Sequence, residues 1–195
     1  ANTEDIDVLG FVKGRLLGAE DGEVFTFTAA GTSATLFSPD LTGSSFTWVG
    51  FAEGNTVIYM AGYVGDKSTI WKTAITADGT VLAVPTVAGS LPDGEIIRSI
   101  YGYLGNVYIG TDRGWRFATA DTSGNLSIGV LVPTVGAVNA FEGQDRFVWF
   151  GYSNYDATST GLGRCDPREF TGVANSNQIA YASDLMATTQ GAVLS

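Results

Sequence analysis

The sequence predicts an all-β fold made of four similar units. Three observations carry that prediction. Apolar residues nowhere recur at i, i+3, i+4 and i+7 over three turns, so helical periodicity is missing. Apolar runs of about four to seven residues alternate with polar ones or are continuous, and Gly, Asp, Asn and Ser break them. One pattern then recurs four times: an apolar strand, a Gly-containing turn, and a second, more strongly apolar strand. The turn glycines are Gly14, Gly54, Gly105 and Gly143, spaced by 40, 51 and 38 residues.

Taken in order, the paired strands are Val8–Gly14 with Arg15–Ala19, Phe46–Gly54 with Val57–Gly62, Ile97–Gly105 with Val107–Gly110, and Val138–Gly143 with Arg146–Gly151. Third strands follow at Val24–Thr28, Thr69–Ile75, Trp115–Thr119 and Leu162–Cys165. A more variable fourth is read at Ala34–Phe37, Val81–Val84, Leu126–Val132 and Gln178–Ala182. Asp78-Gly79 and Ser123-Gly124-Asn125 supply the positive-φ residues that hairpins between third and fourth strands need. The clearest copy is Tyr103–Phe117, in which Thr111-Asp-Arg-Gly114 turns between two strands; it reads as the inner hairpin of the third unit. Tyr181–Thr188 is the one weak helical candidate.

Four strands per unit at a period in the low forties match the blade of a β-propeller. One four-stranded blade cannot bury both faces, and stacking blades around an axis does so. Continuously apolar segments such as Val57-Ile-Tyr-Met60 and Phe147-Val-Trp-Phe150 suit strands covered on both sides, and left bare they would aggregate. The fold class is therefore an all-β propeller of four-stranded antiparallel blades. It forms a single domain, with blades at about 1–45, 46–92, 93–133 and 134–195. Four blades close as a small ring, form part of a larger one, or are completed in trans by another copy. A stacked β-solenoid is the architectural alternative, with shorter and more regular coils. The ends, Ala1-Asn-Thr and Val193-Leu-Ser195, read as those of a mature or excerpted piece of something longer.

Composition narrows the chemistry. The 195 residues are 45% hydrophobic, which is too apolar for disorder, and 26 glycines against five prolines suit many tight turns. A net charge of −10 makes nucleic acid and anionic membranes poor partners, and no apolar run is long enough for a transmembrane helix. There is no histidine, which removes Ser-His-Asp and Cys-His catalysis and the commonest metal ligand. Cys165, the only cysteine, permits no intrachain disulfide and reads as a buried apolar thiol despite Arg164 beside it. No cofactor and no metal is expected.

Two carboxylates flanking a glycosidic bond would make a glycosidase, and the spacing pairs no two here. Glu20, Asp21 and Glu23 read as a solvated hairpin tip, and Asp66, Asp112, Asp145 and Asp156 as turn formers near strand ends, some sharing a rim. Asp121–Asn125 puts oxygens at alternate positions as calcium loops do, but it lacks the remaining acidic ligands and reads as a hairpin turn. Ser38–Trp48 faintly resembles the Asp-box of sialidase-type propellers in Asp40, Gly43 and Trp48. Trp48, Trp71, Trp115 and Trp149 lie in strands and are expected in the core. The one stretch with the character of a binding loop is Ser153–Thr160. There Tyr152, Asn154, Tyr155 and Asp156 are the candidate ligand-binding residues, suited to stacking and hydrogen-bonding a sugar.

Leu91–Ile100, Gly102–Phe117, Arg146–Gly151, Gly161–Arg164 and Ala180–Leu185 together resemble the propeller region of minor tail proteins from tailed phages of actinobacteria. The likeness covers roughly residues 45–190, with a weaker stretch at Phe11–Leu16. It implies a non-enzymatic structural protein of the virion tail or fibre, extracellular, acting in assembly or recognition of a host-surface glycan. Its implied partners are other tail proteins, host glycan and further copies of itself, with no nucleic acid and no membrane insertion. The family carries no catalytic residues to transfer. The alternatives are a glycan-cleaving propeller enzyme such as a sialidase or lyase, and a cellular propeller scaffold for protein–protein interaction.

Overall fold

A computed structural model of the chain describes residues 6–39, 45–76, 82–153 and 160–167. Fifteen strands fall into four antiparallel sheets in strict chain order. The first blade holds β1 (Val8–Val12), β2 (Arg15–Glu20), β3 (Glu23–Phe27) and β4 (Ser33–Phe37). The second holds β5 (Thr47–Glu53), β6 (Val57–Val64), β7 (Lys67–Ala74) and β8 (Thr86–Ser90). The third holds β9 (Ile97–Tyr103), β10 (Asn106–Thr111), β11 (Gly114–Ala120) and β12 (Leu126–Pro133). The fourth shows β13 (Ala137–Gln144), β14 (Phe147–Ser153) and β15 (Thr160–Cys165) among the described residues. The expected fourth strand at 178–182 and the helical candidate at 181–188 lie outside the described residues.

Two-residue hairpins set the register. Lys13 and Gly14 both take positive φ (47° and 72°), as do Leu104 and Gly105 (49° and 79°), so each pair makes the left-handed turn that matches strand twist. Hence Val12 pairs Arg15 and Tyr103 pairs Asn106.

One expected strand moves. The apolar run at 81–84 was read as the fourth strand of blade two, but that strand is Thr86–Ser90. Pro85 has no N–H to give the ladder, so the edge is split there. On the near side Leu82 bridges Ile75, and Ala83 bonds Ala74 and Thr73. On the far side β8 pairs Thr69–Lys72.

The cores lie between blades. Ala19 and Val24 meet Trp48 and Met60 between blades one and two. Tyr59 and Ile70 meet Ile100, Val107 and Ile109 between two and three. Tyr108 and Trp115 meet Val148, Phe150 and Tyr152 between three and four. Each fully buried large side chain stabilises by about 1.5–3 kcal/mol. The first strands are nearest one another, β1 beside β5, β5 beside β9 and β9 beside β13, so they are the axial strands. The β10–β11 hairpin is thus the middle of its blade rather than its inner edge. Among the described residues β13 does not return to pack against β1 to a comparable extent. Among the described residues the four blades form an open series.

Candidate functional surfaces

Antiparallel blades have two rims. One carries the turns after first strands (Lys13–Gly14, Leu104–Gly105, Asp145–Arg146), the other the turns after second strands (Asp21–Gly22, Gly65–Asp66, Asp112–Arg113). Asp66 and Asp112 therefore share a rim, and Asp145 lies on the opposite one.

Turn geometry employs these acids. Asp112 Oδ1 accepts the Ile96 amide (2.8 Å) while the Asp112 amide donates to Ile96 O (2.9 Å). Arg113 beside it donates to Gly94 O. The backbone oxygen of Asp66 accepts from the Gly94 amide at 2.8 Å. Asp145 sits at φ 55° and its carbonyl accepts the Tyr103 hydroxyl at 2.9 Å. These groups close turns and join blades.

Glu20 departs from the solvated tip read from sequence. It is buried at the end of β2, whereas Asp21 turns the chain at φ 46° and is exposed. The register explains the difference: Glu20 pairs Glu23 inside the ladder, and only Asp21 and Gly22 form the tip.

The rim of first turns is stitched from blade to blade. The Lys13 amide donates to Glu53 Oε1 and its ammonium to Asn55 O (2.9 Å). Tyr101 donates to Glu142 Oε1 (3.2 Å) and accepts the Gly143 amide (3.0 Å). Burial pushes the Tyr101 hydroxyl above the ordinary phenol range.

Asp121–Asn125 is a hairpin turn, as expected. Asp121 Oδ1 accepts the Ser123 and Asn125 amides, both at 2.8 Å, and Oδ2 accepts the Asn125 side chain. The Asn125 amide group holds the Asp121 carboxyl below its usual range. The oxygens that a calcium ion would need next, Ser123 O and Asn125 Oδ1, both accept from the Lys72 ammonium at 2.6 Å. An ammonium from blade two fills that place.

Tyr152 belongs to β14 rather than to the polar loop, and its ring is buried at 5% exposure. It packs on Phe150 at 6.4 Å between ring centres, so it is a core residue and offers no stacking face to a sugar. The loop candidates Asn154, Tyr155 and Asp156 lie outside the described residues, as do Asp40 and Gly43 of the Asp-box-like stretch. Trp48 and Trp115 are buried, and Trp71 and Trp149 are half-buried. Cys165 is buried, which pushes its thiol up to about 12. Sequence reading missed the group around Phe147. Arg146 and Arg164 lie over its ring at 4.6 and 4.2 Å, and Arg164 also lies 5.4 Å from the Trp149 ring. The alternation Arg146-Phe-Val-Trp-Phe150 was its available signal. Among the described residues no three Cys, Asp or Glu gather as metal ligands.

No protein-family model and no curated protein matches the chain. Solved structures do. The PQQ-bound aldose sugar dehydrogenase of Streptomyces coelicolor matches with TM-score 0.60 and 14% identity, over 91% of this chain and 65% of that one. The computationally designed Ika4 protein matches with TM-score 0.54 and 17% identity, over 83% of this chain and 92% of that one. Virginiamycin B lyase of Staphylococcus aureus matches with TM-score 0.55 and 15% identity, over 83% and 56%. The chain thus spans less than two thirds of the length of the dehydrogenase and the lyase. Both are β-propeller proteins, and this chain has the propeller fold. At these identities the likeness is one of fold.

Proposed function

We propose that the chain is a non-enzymatic propeller module of a phage tail or fibre. Its role in that reading is to hold tail neighbours and present loops to a host-surface glycan. The supporting observation is the use made of the polar side chains on both rims. Asp112, Asp121, Glu53 and Glu142 each accept hydrogen bonds within turns or between blades. That arrangement serves stability and loop presentation. The tail setting draws its support from the stretches at Leu91–Phe117 and Arg146–Gly151, which resemble minor tail proteins of actinobacterial phages.

Two measurements test the reading. Peptides of this chain should appear in purified tailed virions and label at the tail; their absence from virions contradicts the setting. Purified chain incubated with actinobacterial wall polysaccharide should bind it without releasing new reducing or unsaturated ends. Release that an alanine at a rim carboxylate abolishes would instead establish a glycan-cleaving enzyme. Capture of host cytosolic proteins in preference to intact cells would favour a cellular scaffold.

A further inference from the structure

Among the described residues the two end blades each turn one partly exposed face away from their neighbours, and register matches the exposed rows to covered ones in the other blades. In blade three Gly102 pairs Val107 and Ile100 pairs Ile109; this face looks at blade two, where a Cβ on Gly102 would meet Glu53. In blade four Gly143 pairs Val148 and Phe141 pairs Phe150, and this face looks at blade three, where Gly143 meets the Tyr103 ring. Counted from the hairpin, the same places in blade one are Phe11 with Leu16 and Leu9 with Gly18. Phe27 and Phe25 continue those rows in β3.

Near the first turn this leading face of blade one is therefore as apolar as its buried counterparts, while at its far end it carries Glu20, which is buried. Yet Phe11 is 72% exposed and Leu9 61%, while Ile6 and Leu16 are exposed beside them. Single exposed apolar residues need no explanation, but Leu9, Phe11 and Leu16 side by side on one sheet, with Ile6 next to them, do.

The opposite end mirrors it. Strands β6 and β10 are buried on both faces over Val57–Gly62 and Val107–Thr111. β14 alternates instead. Val148, Phe150 and Tyr152 are buried against blade three, while Phe147, Trp149 and Gly151 on the trailing side are only half-buried. Leu162, in line with Gly151, is 68% exposed. The corresponding residue to Trp149 in blade three is Tyr108, which is wholly buried against blade four.

We propose that a second copy of this chain covers these faces. The leading face of blade one in each copy packs on the trailing face of blade four in the other. The contact is head to tail, so each copy uses both faces and the pair closes on a two-fold axis. Among the described residues of a single chain β13 does not pack on β1 as the other first strands pack on one another. Two copies give eight blades, the upper end of the usual four to eight, whereas three would exceed it. The Arg164–Phe147–Trp149 group then meets Phe11, Leu16 and Phe27, which lie at the same end of their strands. That extends the aromatic character of the interface between blades three and four, where Tyr108 and Trp115 meet Phe150. The proposal stands independently of the tail setting.

Sedimentation velocity on the full 195-residue chain tests it. The wild type should run as a two-chain particle at micromolar concentration. Phe11→Asp should weaken pairing by at least about a hundredfold, as loss of a central aromatic anchor does, and Leu162→Asp should act likewise. Both positions are exposed, so each variant should keep the far-ultraviolet spectrum and thermal transition of a folded chain. Mixing the two variants provides the decisive arm. Phe11→Asp keeps a sound trailing face and Leu162→Asp a sound leading face, so the mixture should pair through one intact contact while neither variant pairs alone. A monomeric wild type overturns the proposal, whether the face stays bare or another segment of the chain lies on it. Pairs that survive both substitutions overturn it as well, and so do open polymers in place of a closed pair.

Discussion

Glu95 and Arg116 form a two-pronged ion pair, Nε to Oε1 at 2.9 Å and Nη2 to Oε2 at 2.6 Å, with both side chains largely buried. Arg116 also donates to Gly129 O in β12 at 2.7 Å. Ser68 Oγ in β7 donates to Glu95 O (2.8 Å) and accepts the Ile97 amide (2.9 Å). One carboxylate thus ties the linker between blades two and three to the outer half of blade three. Removing one partner leaves the other charged, buried and unpaired. Arg116→Ala should lower unfolding stability by about 3–5 kcal/mol. Replacing both, as Glu95→Leu with Arg116→Ala, should cost less than the two single losses together. Urea denaturation of the four proteins measures this, and a single loss under about 1 kcal/mol would mean the pair is not desolvated in solution.

Gly102 allows blades two and three to approach. A Cβ there would overlap the Glu53 backbone, which has no flexible end to move aside. Gly102→Ala should destabilise by about 1–3 kcal/mol through overpacking. Gly50→Ala is the control, since its Cβ meets only Ile100 Cγ2 at 3.4 Å, and it should cost less than half as much. Equal thermal shifts for the two would contradict close packing at Gly102.

Alkali should unfold the protein earlier than its charge alone implies. Burial raises Cys165 and Tyr59 to about 12 each, against unfolded values near 8.5 and 10. The native state keeps protons that the unfolded chain releases, so stability is full below about pH 8 and falls as pH climbs towards 12, by up to about 1.4 kcal/mol per unit for each group. Cys165→Ala should flatten the first part of that decline, between about pH 8.5 and 10. The same burial should protect Cys165 from iodoacetamide until the chain unfolds, and labelling at the native rate of a free thiol would contradict it.

Calcium should leave the melting temperature unchanged. The Lys72 ammonium already holds Ser123 O and Asn125 Oδ1, and Asp121 is committed to the turn. Lys72→Met should cost about 0.5–1 kcal/mol, the modest value of an exposed charged tie. A rise in melting temperature with millimolar calcium in the wild type would show that the loop takes a cation after all.

Hairpin turns within the blades were legible because their chemistry is local: Lys13-Gly14, Leu104-Gly105 and Asp121–Asn125 announce their turns in the residues that make them. Long apolar strands were equally plain. What failed depended on neighbours in space. Pro85 divides an edge that hydropathy alone placed at 81–84. Glu20 looks exposed in an acidic triplet and is buried by its place in the ladder. Tyr152 looks like part of a polar loop, but it continues the alternation of Val148 and Phe150 on the face towards blade three. The open series of blades among the described residues had no signature of its own, since the exposed rows of the end faces are written in the same residue types as the covered ones.

The blade count of the assembled particle tests the account most directly. Class averages of the purified chain by cryo-electron microscopy should show a closed eight-spoked ring with two-fold symmetry and two chains. A closed four-bladed ring from one chain, or an isolated open arc, would contradict it.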